Sequence, residues 1–228
     1  SLNQCIASLQ SNNISEILIF NDDENELLKH KNLEVNEKLI QYIKIFNPID
    51  FGFKKREFRK PIYLNKAVDI SKNEFILFSD DDGIFNKGAI DQHYEALKVY
   101  PFSAGSIIRS RIIKKVSKTI LQGTNYAFRK KFYNSIGRYD ENFTKSMGGG
   151  DVDFWYRIYH YILDNNLSAA FLPKAIQRVS SKSTRKKIFR EMDPRDYTIN
   201  KHKLIISGPM YKWFPEIRNK SQWMDIFK

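Results

Sequence analysis

Three consecutive carboxylates, Asp80, Asp81 and Asp82, followed by Gly83, are the residues of this chain most capable of chemistry. They come directly after Phe75-Ile-Leu-Phe78, an apolar run of the kind found in a strand buried on both faces of a parallel sheet. Acids crowded at a strand end repel one another unless a positive charge lies between them. The carboxyl end of a strand is also where open α/β sheets bind ligands. A hard divalent cation, Mg²⁺ or Mn²⁺, carrying a diphosphate would meet both conditions, since such ions take one or two carboxylates plus phosphate oxygens. The bland alternative is a solvated acidic turn. A calcium-binding loop of the EF-hand type fits badly, because its acids alternate and these are contiguous.

A second group follows at Met147-Gly-Gly-Gly-Asp-Val-Asp-Phe154. Glycines ahead of Asp151 allow a tight bend and close approach to a ligand. Asp151 and Asp153 then fall in the first turn of a helix, whose dipole favours ionised carboxylates. A carboxylate so placed either caps the helix or accepts a proton from a hydroxyl. A third acidic rim, Asn21-Asp-Asp-Glu24, ends the apolar run at residues 16–20.

The elements that must position these groups read as alternating strands and helices. Helical spacing is expected at residues 1–10, 61–70, 90–97, 132–136 and from Phe154 through Ile158 to Ile162. Strands are expected at residues 16–20, 41–46, 75–78, 104–111, 124–128 and 169–172. That alternation predicts a mixed α/β sheet of mostly parallel strands flanked by helices.

The chain has 228 residues, 42% apolar and 14% aromatic, enough for a substantial core. No run of about eighteen apolar residues spans a membrane. No secretory pattern is visible, and a lone Cys5 suits a reducing compartment, so the expected location is cytoplasmic. Residues 174–228 hold fourteen Lys/Arg against five Asp/Glu, leaving about +3 of the net charge of +12 on the remainder. Two regions are therefore expected: a domain over residues 1–182 and a basic, aromatic-containing extension over 183–228. Tyr211-Lys-Trp-Phe-Pro and Gln222-Trp-Met-Asp-Ile-Phe-Lys228 suit peripheral contact with an anionic membrane. They suit a lipid-linked acceptor equally, or plain packing of the tail. Nucleic acid is not an expected partner, because the acid clusters would repel its phosphates.

In combination and order, these motifs resemble the family-2 nucleotide-sugar glycosyltransferases of the GT-A, Rossmann-like fold, over residues 1–182. Residues 16–25 resemble the nucleobase-binding strand and loop, and residues 77–82 the Asp-Xaa-Asp metal motif. Gly123-Thr-Asn-Tyr-Ala-Phe-Arg129 resembles the strand lining the sugar pocket. Ile136-Gly-Arg-Tyr-Asp-Glu-Asn-Phe143 is similar to the family's Gly-x-Phe-Asp-Glu turn, and residues 148–154 to its Gly-Gly-Glu-Asp-x-Asp motif. The resemblance implies a metal-dependent hexosyltransferase moving sugar from a UDP-sugar or related donor to a saccharide or glycolipid acceptor, with inversion, in surface polysaccharide or glycolipid synthesis. It assigns Asp22 to the donor base and sets Lys60 and Asn65 near the nucleotide. Asp82 becomes a direct metal ligand, with Asp80 or Asp81 holding ribose or metal. Asp151 becomes the general base, with Asn125, Gly149, Gly150 and Asp153 around the sugar or acceptor.

Three departures accompany it. Gly150 stands where the family has glutamate. No histidine follows Leu172-Pro-Lys as late metal ligand, which leaves His202 as the substitute. The family's first strand would precede Ser1, so residues upstream are implied. The rival readings are a catalytically impaired partner subunit of the same fold and a basic nucleic-acid-binding protein.

Overall fold

The computed structural model describes residues 2–23, 26–51, 59–110, 116–119, 123–146, 149–179, 192–203 and 226–227. In chain order its elements are α1 (Leu2–Ser8), β1 (Ile17–Phe20), α2 (Glu37–Ile40), β2 (Ile43–Phe46), α3 (Lys60–Ile70), β3 (Phe75–Phe78), β4 (Gly83–Phe85) and α4 (Ala89–Val99). There follow β5 (Phe102–Ser110), β6 (Val116–Thr119), β7 (Tyr126–Arg129), α5 (Lys130–Ser135), α6 (Gly150–Asp164), β8 (Ala170–Val179) and α7 (Pro194–His202).

The strands form two sheets. β1 and β2 pair in parallel, Ile17 opposite Ile43. The larger sheet runs β3-β7-β5-β8-β4, with β6 also on β5. The expectation of mostly parallel strands is corrected here. Of the six pairs among the described residues, only β1–β2 and β5–β8 are parallel. Parallel pairing needs a long crossover. β4 instead follows β3 through a turn closed by the Gly83 amide on the Asp80 carbonyl (3.2 Å), so it runs back. β7 likewise returns antiparallel between β3 and β5.

β3 lies at the end of the hydrogen-bonded order, yet both its faces are covered, which explains its unbroken apolar run. Phe78 and Ile76 join the main core, while Leu77 packs with Phe85, Ala89 and Ile90. The main core is aromatic: Phe78, Phe102, Tyr126, Phe128, Tyr133, Phe154 and Trp155 interlock between the sheet, α5 and α6. The Phe128–Tyr133 and Tyr139–Phe154 rings stack at 4.6 and 4.3 Å. Such pairs add about 0.5–1.5 kcal/mol each beyond area burial. The small sheet has its own cluster, Ile6, Ile19, Leu33 and Ile43. Polar contacts tie it to the start of β3: Ser15 donates to Asn73 (2.9 Å) and the Lys72 amide to Glu16 (3.2 Å).

The expected strand at residues 169–172 continues to Val179, because the register against β5 shifts between Gly105 and Ser106 and lets Pro173 sit in the irregularity. Arg129 and Lys130 cap two helices at once. Arg129 donates to the Leu97 and Lys98 carbonyls closing α4, and Lys130 to the Ser71 carbonyl closing α3.

Of the extension expected over residues 183–228, the described residues are 192–203 and 226–227. Ile226 and Phe227 are buried in the main core, and Phe227 bridges Ala169. α7 lies against α6, with Lys201 and His202 on Asp153. The aromatic tail motifs otherwise fall outside the described residues. Among those described, no helix is long and apolar enough to cross a membrane.

Candidate active site

Asp80 leaves the carboxyl end of β3 with its backbone fixed from below. Its amide donates to the Thr124 hydroxyl (2.9 Å), which donates to Gln177 Oε1 (2.8 Å). The Gln177 amide nitrogen donates in turn to the Ser79 hydroxyl (2.9 Å). Gln177 is fully buried and lies flat against Gly83: a Cβ there would fall 2.0 Å from Gln177 Nε2. Only glycine therefore closes the acidic turn.

The carboxylate of Asp80 takes a 2.5 Å contact from Lys60 Nζ, which also donates to the Gly123 carbonyl (3.0 Å). Gly123 links this pair to the second acidic group, since a Cβ built on it would lie 3.6 Å from Asp151 Cβ and 3.1 Å from Lys60 Nζ. Asp80 and Asp151 both act on the buried Tyr139 hydroxyl, which burial foremost raises well above the usual range. That hydroxyl pairs with Tyr126 at 3.0 Å. Asp80 and Asp151, 71 positions apart in the chain, thus both lie close to Lys60 and Gly123. Asp81 and Asp82 follow in the same turn and act on Cys5. Burial raises the Cys5 thiol first, and both carboxylates add to the rise, while Cys5 contacts Ser79 and the Asp80 carbonyl.

Asp151 occupies the first turn of α6 and accepts from the Val152 amide (3.0 Å). The turn before it depends on Gly149, whose φ of +87° is left-handed and whose absent side chain leaves room for Pro194 of α7. Gly150 packs on Phe143, where an added Cβ would meet the Phe143 Cβ at 3.3 Å and Cγ at 3.4 Å.

Other residues expected at the site make contacts within the protein. Asn125 is 1% exposed, donates to the Ser106 and Ala175 carbonyls and accepts from His93, so its side chain is held within the frame. Asn65 is a bracket in the same sense, donating to the Tyr139 carbonyl and Glu141 and accepting from Tyr133 and the Tyr139 amide. Asp153, 0% exposed, receives Arg157, Lys201 and His202. Burial pushes its carboxyl up, but the His202 hydrogen bond with the Arg157 and Lys201 charges outweighs this and holds it at about 2. His202 Nε2 sits 2.7 Å from Asp153 and its ring packs on Tyr156. Asp22, exposed at the end of β1, pairs with the nearly buried Arg59 at 3.2 Å.

Hard carboxylate oxygens are the right donors for Mg²⁺ or Mn²⁺. Among the described residues no group of three or more His, Cys, Asp or Glu converges on one point. A cation such as Mg²⁺ that takes most of its ligands from phosphate and water needs only one or two protein carboxylates. A cavity of about 530 Å³ lies elsewhere, lined by Asn65, Arg138, Tyr139, Glu141, Arg157 and Lys201 among others, and neither Asp80 nor Asp151 borders it.

Sequence reasoning set Lys60 near a nucleotide but did not find it on Asp80, and it missed Thr124, Gln177 and Arg59. Thr124 stood inside a quoted motif. Gln177 carried no local signal, because its partners lie 53 and 98 positions away.

No family model matches this chain, and no curated protein matches it. Solved structures that resemble it include the "Crystal structure of GalNAc-T7 with UDP, GalNAc and Mn2+", with a TM-score of 0.48 and 11% identity. The alignment covers 94% of this chain and 49% of that one, so this chain spans about half its length.

Proposed function

We propose that the space between Asp80 and Asp151 is the active site of an inverting glycosyltransferase that takes a nucleotide-diphosphate sugar. The single observation that carries this reading is the convergence of Lys60, Asp80, Gly123 and Asp151 from four separate segments. In this reading the acidic turn and Lys60 face the diphosphate, and Asp22 at the end of β1 meets the base, with uracil favoured by the motif resemblance. Asp151 takes the proton from an acceptor hydroxyl. The freed oxygen attacks the anomeric carbon from the face opposite the diphosphate, a new C–O bond forms, and the bond to the phosphate oxygen breaks. Configuration inverts, and the nucleoside diphosphate leaves. Asp80 and Asp82 would hold the divalent cation, which supplies charge neutralisation to the departing diphosphate. The acceptor in this reading is a saccharide or a lipid-linked saccharide.

The test is a thermal-shift screen of UDP-, GDP-, CDP- and dTDP-sugars with and without Mn²⁺, followed by turnover with the donor that binds. A ligand at one hundred times its Kd stabilises by about 2.7 kcal/mol, a shift easily read. Asp151→Asn should keep donor binding and lose turnover by a factor of about 10²–10⁴, the usual contribution of a general base. A protein that binds no nucleotide sugar, or an Asp151→Asn variant with full turnover, rejects the proposal.

A further inference from the structure

Lys60 is the first residue of α3, and that first turn holds no acid. The positive end of a helix dipole disfavours an ammonium there. Its position is explained by what it touches: Asp80 Oδ1 at 2.5 Å and the Gly123 carbonyl at 3.0 Å. Both partners are about one-third exposed or less, so the pair is reachable by ions and ligands. Gly123 carries no side chain, which leaves the gap from Lys60 Nζ to Asp151 open. The ammonium therefore stands where positive charge is needed, against the acidic turn and beside Asp151.

We infer that Lys60 is a built-in counter-ion that occupies Asp80 in the ligand-free protein and is exchanged for a divalent cation when the diphosphate arrives. This deepens the function proposed above and rests on it, since it concerns how that site controls its cation. A dication approaching Asp80 alone meets a carboxylate already neutralised and an ammonium that repels it. A diphosphate changes the balance, because it offers oxygens to the cation and a new partner to the ammonium. Lysine suits this exchange: its charge is compact and rides on a flexible four-carbon stem that turns from one anion to another with little strain. Cation and nucleotide then bind with positive coupling, and the coupling is reciprocal. The protein stays largely free of metal until the nucleotide is present.

The experiment titrates MnCl₂ into the protein, reading free Mn²⁺ by electron paramagnetic resonance, with and without UDP. It compares wild type, Lys60→Gln, Lys60→Arg and Lys66→Gln, where Lys66 is an exposed lysine on the same helix. Lys60→Gln should bind Mn²⁺ alone about fivefold tighter, the change expected for removing a competitor held by a part-exposed ion pair. UDP should sharpen Mn²⁺ binding less in that variant than in wild type. Lys60→Arg and Lys66→Gln should match wild type within about twofold, the first because the competitor is retained and the second because it never touches Asp80. The inference is overturned if Lys60→Gln binds no tighter than wild type, if Lys66→Gln tightens as much, or if no protein binds Mn²⁺. Sugar transfer by the wild type, scored in parallel, separates the two readings. Transfer without tightening in Lys60→Gln sinks the exchange alone, and tightening without nucleotide-sugar binding sinks the transferase alone.

Discussion

Lowering the pH from 7 to 5 should destabilise this protein through one side chain, His93. The ring is 2% exposed on α4, with Nδ1 2.9 Å from the Ser103 hydroxyl and Nε2 3.1 Å from Asn125 Oδ1. Asn125 spends its amide protons on the Ser106 and Ala175 carbonyls, so its oxygen faces the ring. His93 Nε2 therefore carries the proton, and Nδ1 accepts from Ser103. Burial drives the imidazole from its ordinary 6.5 down to about 4, against a smaller upward pull from the Asn125 hydrogen bond. The sign follows from linkage: between pH 6.5 and 4 the unfolded chain binds the proton and the folded one does not. Stability thus falls as pH falls, levelling off below the folded value at a total of about 3 kcal/mol. Over the interval from pH 7 to 5 the same relation gives a loss of about 2 kcal/mol. The assay is urea unfolding at both pH values for wild type and His93→Gln, because groups other than His93 cancel in the difference. Wild type should lose about 2 kcal/mol more than the variant on acidification. Equal losses would refute the reasoning, since they would mean that the folded protein protonates His93 freely. The test also bears on the site, as Asn125 follows Thr124, whose hydroxyl holds the Asp80 amide.

Two further outcomes concern the first turn of α6. Asp153→Asn removes the shared partner of Arg157, Lys201 and His202 and should cost about 3 kcal/mol, the low end for breaking a buried pair because those cations retain some water. Urea midpoints measure it, and a change below about 0.5 kcal/mol would show that α7 docks without this anchor. With the Asp153 carboxyl held at about 2 when folded, its contribution is complete above about pH 4 and fades as pH falls toward 2. Gly149→Ala should destabilise by at least about 1–2 kcal/mol, from the left-handed backbone and from a methyl group meeting Pro194 Cβ at 2.6 Å. Thermal unfolding that is unchanged in this variant would contradict the packing of α7 on the glycine turn.

Local pattern was enough to reveal β3, α3, α4, α6 and the acidic turn, because each is encoded by periodicity or by adjacent residues. Phe75 to Phe78 reads as a strand on its own, and Phe154, Ile158 and Ile162 declare the buried face of α6. The acids at positions 80–82 and 151 were likewise legible, since carboxylates after a strand or at a helix start are conspicuous in one dimension. Strand direction was not. β7 is antiparallel to both its neighbours, yet nothing within its four residues distinguishes that from parallel pairing, which is settled by how the chain returns. Nor could the sequence say which polar residues face a ligand and which hold the frame. Asn65, Asn125 and Asp153 look like site residues in the chain. In the fold each spends part of its hydrogen-bonding capacity on a partner 49 to 76 positions away: Glu141 for Asn65, Ala175 for Asn125 and His202 for Asp153. Lys60, set by the motif resemblance only near a nucleotide, meets Asp80 because α3 delivers it there across 20 positions. The sequence determined which charges exist and which segments bury themselves. Tertiary packing alone decided which charges meet, because the energy of an ion pair or a buried hydrogen bond depends on distance and solvent access, neither of which is written into local order.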